Sequence, residues 1–287
     1  MRQVVLRSFI IGVRRRWKGG LTQALSLVGF VWLLTEISTK VFGVLASLLS
    51  EHGNIYISVI ITAALIRFAS FVYETRSVSF FVPTTDFQIN IRFGNLLGED
   101  TDWLIGVNEF FDSEIGHIVS QDSLHGKFIT SVYNGDAARF RAALDSALAG
   151  TASTQTQRQT QPSLKYEIGT TAVLPNGPHK AFLVAVSQTD LATAKASSTV
   201  PLLWDALRGG LQSVHDFGNG SPLSMPLIGN GRSSVNIEPQ HLLRLVVLAL
   251  VDFGRKVGLP KHVNIIVSEA CFEMLDIREI RRDWSKK

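Results

Sequence analysis

The sequence predicts an α/β domain preceded by a two-helix transmembrane hairpin, and three observations carry that prediction. Two long apolar stretches follow a basic N-terminus. From residue 78 onward, short apolar strands alternate with amphipathic helices, the pattern of an α/β domain with a parallel or mixed sheet. The mean hydropathy of +0.20, with only 18% charged residues, excludes disorder and is high for a purely soluble chain. The 287 residues can build a sizeable core. The single cysteine cannot form an internal disulfide or a Cys-rich metal site.

Residues 1–20 form a basic arm. Arg2, Arg7, Arg14, Arg15, Arg16 and Lys18 give it +6 with no acid, so the other 267 residues sum to −2. A nucleic-acid-binding body is therefore not supported. Residues 21–73 form the hairpin, with spans at about 21–49 and 55–73, each able to cross a bilayer core. Ser50 to Asn54 read as the tight turn between them. The arginine cluster before the first span predicts that both chain ends lie in the cytoplasm. A cleaved signal peptide fits poorly, because the apolar run is too long and no A-x-A site follows. A buried helical hairpin of a soluble protein is the other alternative. Three charges lie within the spans. Glu36 and Lys40 stand at i, i+4, and a turn centred near residue 52 puts Arg67 level with Glu36. They read either as local charge neutralisation or as a polar face that drives helix association or lines an aqueous path.

Residues 78–287 carry the α/β domain. Phe87–Phe93, Trp103–Val107, Tyr166–Leu174, Ala181–Val186, Ser224–Ile228 and Val263–Val267 read as strands, with a turn at Asn176-Gly177. Asp136–Leu148, Val200–His215, Glu238–Val257 and Cys271–Trp284 read as helices, and Gly150–Pro162, rich in Thr, Gln and Ser, as a solvated loop. Sites in such sheets gather at the carboxyl ends of strands. The strand ends here hold Gly94-Asn95-Leu96, Asn108-Glu109-Phe110-Phe111-Asp112 and Gly229-Asn230-Gly231-Arg232. Glycines there let backbone N–H groups approach an anion, although Gly-x-Gly also makes simple tight turns.

Several chemistries lack their motifs. No HExxH, CxxC or EF-hand spacing supports a metal site, no GxxxxGK[ST] supports a P-loop ATPase, and no GxSxG elbow is present. Ser123 and His125 are too close in sequence for a charge-relay arrangement and read as a turn entering Lys127-Phe128-Ile129.

The succession Ile91-Arg92-Phe93-Gly94-Asn95-Leu96, Leu104-Ile105-Gly106-Val107-Asn108 and Met225-Pro226-Leu227-Ile228-Gly229-Asn230-Gly231 resembles a macro domain, the three-layer α/β/α module that binds ADP-ribose. Ile266 to Phe272 resembles that module's closing strand, spacer and aromatic. With two N-terminal spans and the stretches Gly106-Val107-Asn108-Glu109-Phe110-Phe111-Asp112 and Ser123-Leu124-His125-Gly126, the chain is similar to the membrane effectors of type II Thoeris antiphage defence.

The resemblance implies a bacterial inner-membrane, multi-pass protein with a cytoplasmic macro-like domain. A TIR-domain partner consumes NAD and makes a small nucleotide signal, histidine-ADP-ribose. The macro-like domain binds that ADP-ribose derivative, and the membrane part assembles as a ligand-induced homo-oligomer and damages membrane lipids. No cofactor, metal, catalytic residue or nucleic-acid partner is implied. The resemblance places Asn95, flanked by Gly94 and Leu96, where macro domains hold an Asp that accepts from the adenine amino group. It places Asn108 near the distal ribose, Gly229, Asn230, Gly231 and Arg232 on the diphosphate, and Phe272 or Glu269 on the adenine side. Phe110-Phe111-Asp112 replaces the Gly-Gly-Gly loop of ADP-ribosyl hydrolases and reads as a specificity wall. Within it Asp112, with Glu109, either meets a cationic or imidazole group of the ligand or is solvated. Valine at Gly231 is expected to abolish binding through bulk and a forbidden positive φ. A membrane-tethered ADP-ribosyl hydrolase and a passive ADP-ribose-binding adaptor are the rival functions, and loss of the glycine loop argues against the first.

Overall fold

The computed structural model describes residues 2–41, 43–116, 118–158, 162–193, 195–231 and 235–285. The chain divides into two compact units, Met1–Arg76 and Ser77–Lys287.

The first unit is an antiparallel pair of helices, α1 (Arg2–Val41) and α2 (Gly43–Val72). Both are long and apolar enough to cross a membrane, and only 11% and 6% of their most apolar windows are buried. A core helix of a soluble protein would bury most of such a window. Here Phe30, Trp32, Leu33, Leu65 and Ile66 all face outward, as lipid-facing residues do. The basic arm is not a separate segment, because its residues form the first turns of α1. It packs through small residues. A Cβ on Gly12 would stand 1.6 Å from the Val72 carbonyl oxygen, and one on Gly20 would stand 2.8 Å from Val72 Cγ1. Arg15 and Arg16 each approach the buried Glu74 carboxylate at 3.8 Å.

The hairpin register differs from the one the sequence suggested. Ser50–Asn54 holds a kink, since α2 is two helical segments that meet at the non-helical backbone of His52 (φ −119°, ψ 27°), but the pairing of the two long helices is not centred there. Thr35 Oγ1 and Tyr56 Oη share a hydrogen bond at 2.5 Å, and Arg67 donates to Gln23 Oε1 at 2.7 Å. The midpoint of both pairs falls about residue 45. Arg67 is therefore level with Gln23, not with Glu36, and the three span charges do not form one cluster. Lys40 donates to Glu36 within α1 at 2.9 Å. The polar run from Glu51 to Asn54 resembled a turn, but the interhelical pairing set the register.

The second unit is built on one mixed sheet. Its strands are β1 (Ser77–Phe81), β2 (Gln88–Phe93), β3 (Asp102–Asn108), β6 (Thr171–Asn176), β7 (His179–Thr189), β9 (Leu223–Pro226) and β10 (His262–Val267), in the order β1-β2-β10-β9-β3-β7-β6, with β8 (Ala196–Ser197) on β7. The inner pairs from β2 to β7 are parallel, and β1 and β6 close the edges antiparallel. A separate small hairpin joins β4 (Ser153–Gln155) to β5 (Leu164–Tyr166), so part of the expected loop at 150–162 is a strand.

Helices cover both faces. The run DWLIGVN of β3 is buried on both sides, as parallel strands require. Trp103, Ile105 and Val107 join Phe128 of α3 (Leu124–Tyr133) and Phe140 and Leu144 of α4 (Ala137–Ala147) in one core layer. On the opposite face, Gly210 of α5 (Val200–Phe217) brings that helix against Leu104 and Val184, where a Cβ would stand 2.9 Å from Leu104 Cδ1. Gly254 of α6 (Pro239–Lys256) does the same against the Phe87 ring, at 2.3 Å. The expected helix from Cys271 to Trp284 is a 3-10 turn at Glu269–Cys271 followed by α7 (Ile277–Ser285). The α/β/α layering and the mixed sheet predicted from the sequence are present.

Candidate functional site

A cavity of about 580 Å³ opens at the carboxyl ends of β3 and β9, within the size range of small-molecule sites. Gly106 to Asn108 of β3 form its floor, and Leu227, Ile228, Gly229 and Gly231 form one wall. Leu124 and His125 of α3 form another, and Lys195 and Ser198 lie on the β8 side. Gly106 is required where it stands, because a Cβ would meet Val186 Cγ2 at 2.9 Å. The turn after β9 depends on Gly229, whose φ is +90° and where an added Cβ would stand 3.0 Å from Val235 Cγ2. Gly231 has no positive φ, and an added Cβ there would meet nothing within 4 Å. The conformational constraint expected at Gly231 therefore belongs to Gly229, and Gly231 contributes open space.

Of the residues the sequence singled out, the structure brings Asn108, Gly229 and Gly231 together at this cavity. Arg232 lies outside the described residues. Asn230 donates to Cys271 Sγ at 3.0 Å, and its N–H closes the turn onto the Leu227 carbonyl. Gly94 donates to the Val267 carbonyl, and Asn95 caps a short 3-10 turn by accepting from the Leu97 N–H at 3.2 Å. Leu96 is packed in the core, and Phe272 is buried with its ring edge-on to Phe93. None of Gly94, Asn95, Leu96, Asn230 and Phe272 lines the cavity.

The segment after β3 also departs from expectation. Phe110, Phe111 and Asp112 are fully buried and do not form a wall of the cavity. Phe111 sits at φ +52° with its ring edge-on to Tyr166. That strained conformation is held by Asn108 Oδ1, which accepts from the N–H groups of Phe110 and Asp112, each at 3.2 Å. Asn108 Nδ2 donates to Asp112 Oδ2 at 2.7 Å. Arg158, reaching in from the segment between β4 and β5, donates to both Asp112 oxygens at 3.0 and 3.2 Å and covers the Phe110 ring at 4.1 Å. Glu109 is 2% exposed, accepts from the Thr189 N–H and pairs with Lys165 at 3.3 Å. The two acids are neither solvated nor at the cavity. Burial of a carboxylate demands a partner, and each has a cation.

Sequence reasoning named His125 but gave it no place at the cavity, where the structure puts it. The turn read here is present, closed by the Ser123 N–H on the Ser120 carbonyl at 3.0 Å, and it runs directly into a helix at Ser123 and His125. They open α3, with Ser123 as its N-cap, its Oγ accepting from the Gly126 N–H at 3.0 Å. The S-L-H-G spacing carries that cap signal. His125 is 8% exposed, its ring is edge-on to Phe140, and its Nε2 has no partner.

Burial lowers the His125 pKa from 6.5 to about 4, so the ring is neutral at pH 7. Between those values the unfolded chain holds a proton here that the native state does not. Stability is therefore full above pH 6.5 and falls as the pH drops toward 4. This one group should remove about 2 kcal/mol between pH 7 and 5. Urea unfolding at both pH values should show His125→Phe losing less stability than wild type by about that amount. Equal losses would remove His125 as the cause.

Solved structures of similar fold are macrodomains. A point mutant of the Oceanobacillus iheyensis macrodomain, solved with ADPR, aligns at a TM-score of 0.50 and 14% identity over 73% of this chain and 100% of its own. The same macrodomain with ADP aligns at 0.50 and 12% identity over 72% and 97%. At these identities the likeness establishes the fold. No curated protein matches the sequence. The family described as Thoeris protein ThsA, Macro domain, matches residues 89–268, which runs from β2 to the end of β10 and takes in every wall of the cavity. That match covers more than half of the chain, so the chain belongs to the ThsA macro-domain family of Thoeris proteins.

Proposed function

We propose that the protein is a ligand-gated membrane effector of antiphage defence, whose macro domain binds an ADP-ribose derivative, histidine-ADP-ribose, made from NAD by a TIR-domain partner. The supporting observation is the cavity between Asn108 and the Gly229 turn, at the strand ends where α/β sheets bind ligands. Gly229 at positive φ lets bare backbone approach a diphosphate. The solved relatives hold ADPR and ADP in the same fold. We assign the chain a receptor role and not a hydrolase role. After β3, Asn108 and Asp112 are committed to internal hydrogen bonds, and the Asp112 carboxylate is held by Arg158, away from the cavity.

The two apolar helices anchor the protein in the bacterial inner membrane as a hairpin, with the arginine cluster and the macro domain in the cytoplasm. Ligand then biases association of the chains. A hundredfold preference for the assembled state contributes about 2.7 kcal/mol per subunit, and assembly multiplies that bias.

Calorimetry on the full chain in nanodiscs tests the receptor reading. Wild type is expected to bind ADP-ribose and histidine-ADP-ribose, and Gly229→Val to lose at least tenfold in affinity for both while remaining folded. Unchanged affinity in a folded Gly229→Val would overturn the assignment of the cavity.

A further inference from the structure

Among the described residues of the β4–β5 hairpin, none lines the cavity, yet the hairpin grips the segment that leaves the cavity floor. That segment runs from Asn108 to Asp112. Asn108 lines the cavity, and the four residues after it do not. Arg158 donates to both oxygens of Asp112 and lies over the Phe110 ring. It is tied back to its own hairpin by a bond to the Pro162 carbonyl at 3.1 Å. Lys165 pairs with Glu109 at 3.3 Å. The Tyr166 N–H donates to the Glu109 carbonyl at 2.9 Å, and the Tyr166 ring meets that of Phe111 edge-on.

The segment needs that grip, because its backbone is not relaxed. The pairing of β3 with β7 shifts register between Val107 and Asn108, and irregularities of this kind re-aim side chains beside sites. Phe111 takes φ +52°, which is uncommon for a bulky residue. Such a conformation persists only where the surroundings over-determine it. Here Asn108 holds the segment from one side and the hairpin holds it from the other. Asn108 Oδ1 accepts from the Phe110 and Asp112 N–H groups, and its Nδ2 donates to Asp112 Oδ2. The same Asp112 oxygen accepts from Arg158 at 3.2 Å. One carboxylate oxygen thus links the arginine to the asparagine. Arg158 supplies the counter-charge that a fully buried carboxylate needs, and the charge makes Asp112 a strong acceptor for the Asn108 amide.

We propose that the β4–β5 hairpin is a clip that shapes one edge of the ligand cavity, with Arg158 as the positioning residue for Asn108 and with Lys165 and Tyr166 as a second hold, on Glu109. Arg158 itself does not touch the nucleotide. It fixes Asp112, Asp112 fixes the Asn108 amide, and Asn108 with its strand end meets the ligand. This rests on the receptor function proposed above. It adds the residue outside the cavity that sets the geometry inside it.

The test separates positioning from stability, because loss of Arg158 alone leaves Asp112 buried without its counter-charge. Asp112→Leu with Arg158→Met removes both partners together, and Arg158→Lys keeps the buried charge but not the paired N–H groups. Calorimetry with ADP-ribose on the full chain in nanodiscs should find the double variant about tenfold weaker than wild type, and Asn108→Ala weaker by a similar factor. Adding Asn108→Ala to the double variant should then cost less than about threefold more, because the pair acts through Asn108. Losses that multiply in full, or a folded double variant that binds like wild type, would overturn the clip. Arg158→Lys leaves Asn108 and Asp112 in place and tests the arginine alone. In ¹⁵N spectra of asparagine-labelled protein without ligand, where Asn108→Ala identifies the side-chain amide, that signal should move in Arg158→Lys. An unmoved signal would remove Arg158 as the positioning residue, whatever the affinities. If wild type bound no ADP-ribose, the receptor function would fall, and the amide signal would still decide the hold of Arg158 on Asn108: a shift supports it and no shift removes it.

Discussion

Asp112→Leu is expected to destabilise the macro domain by about 3–5 kcal/mol, because it leaves the Arg158 guanidinium buried without its counter-charge. The two side chains are 0% and 4% exposed. Arg158 also loses both of its charge-assisted bonds, and Asn108 loses the acceptor for its Nδ2. A domain of this size has about 5–15 kcal/mol in total, so the variant should unfold at much lower urea. Adding Arg158→Met should restore most of the loss, since an apolar replacement of both partners is near neutral. Urea denaturation followed by fluorescence of the buried Trp103 measures the cycle. Additive losses in the double variant would show that the pair is not coupled. The position matters for function as well, because Asn108 lines the cavity and Asp112 sets its orientation.

The largest functional effect is expected in the membrane. Glu36 and Lys40 pair with each other, yet their side chains are 52% and 74% exposed on the outer surface of the hairpin. An ion pair facing lipid is costly, and a neighbouring chain or water would relieve that cost. Removing both together leaves no unpaired charge behind. Glu36→Leu with Lys40→Leu should therefore keep membrane insertion and nucleotide affinity but abolish toxicity in cells that supply the signal. Arg67→Leu is a separate test, because Arg67 bonds to Gln23 inside the hairpin. It should loosen the helix pair and leave the outward-facing pair intact. Growth curves after signal induction read both. Undiminished toxicity in the double variant would make the Glu36–Lys40 pair a local neutralisation only.

Period and composition made the architecture legible. Apolar runs of membrane length and strands alternating with helices are direct consequences of burial, and they gave the hairpin and the layered sheet. The strand ends at Asn108 and Gly229 were also legible, because few residues suit those turns. What failed was anything fixed by distant partners. The hairpin register hung on Thr35 with Tyr56 and Gln23 with Arg67, pairs between residues 21 and 44 positions apart. Phe111 and Asp112 read as a wall because nothing local announced that Arg158, 46 residues away, would cover them. Within the Thr/Gln/Ser-rich stretch, one arginine decided the fate of the preceding segment. His125 was read as part of a turn, because Ser123 and His125 stand too close in sequence for a charge relay, and its packing on Phe140, 15 residues on, is not written locally.

α1 has 40 residues and so is about 60 Å long, roughly twice the thickness of a bilayer's hydrocarbon core. Set across a bilayer, a helix of this length leaves about half of itself beyond the lipid as a stiff rod, and the Glu74 carboxylate beside Arg15 and Arg16 lies partway along that half. Such a rod acts as a lever with its fulcrum at the membrane surface. A tilt of about 10° over roughly 30 Å on each side displaces each end by about 5 Å in opposite directions, close to one helical pitch. A push on the outer end would thus be felt at Glu36 and Lys40, near the far tip, without any change in helix structure.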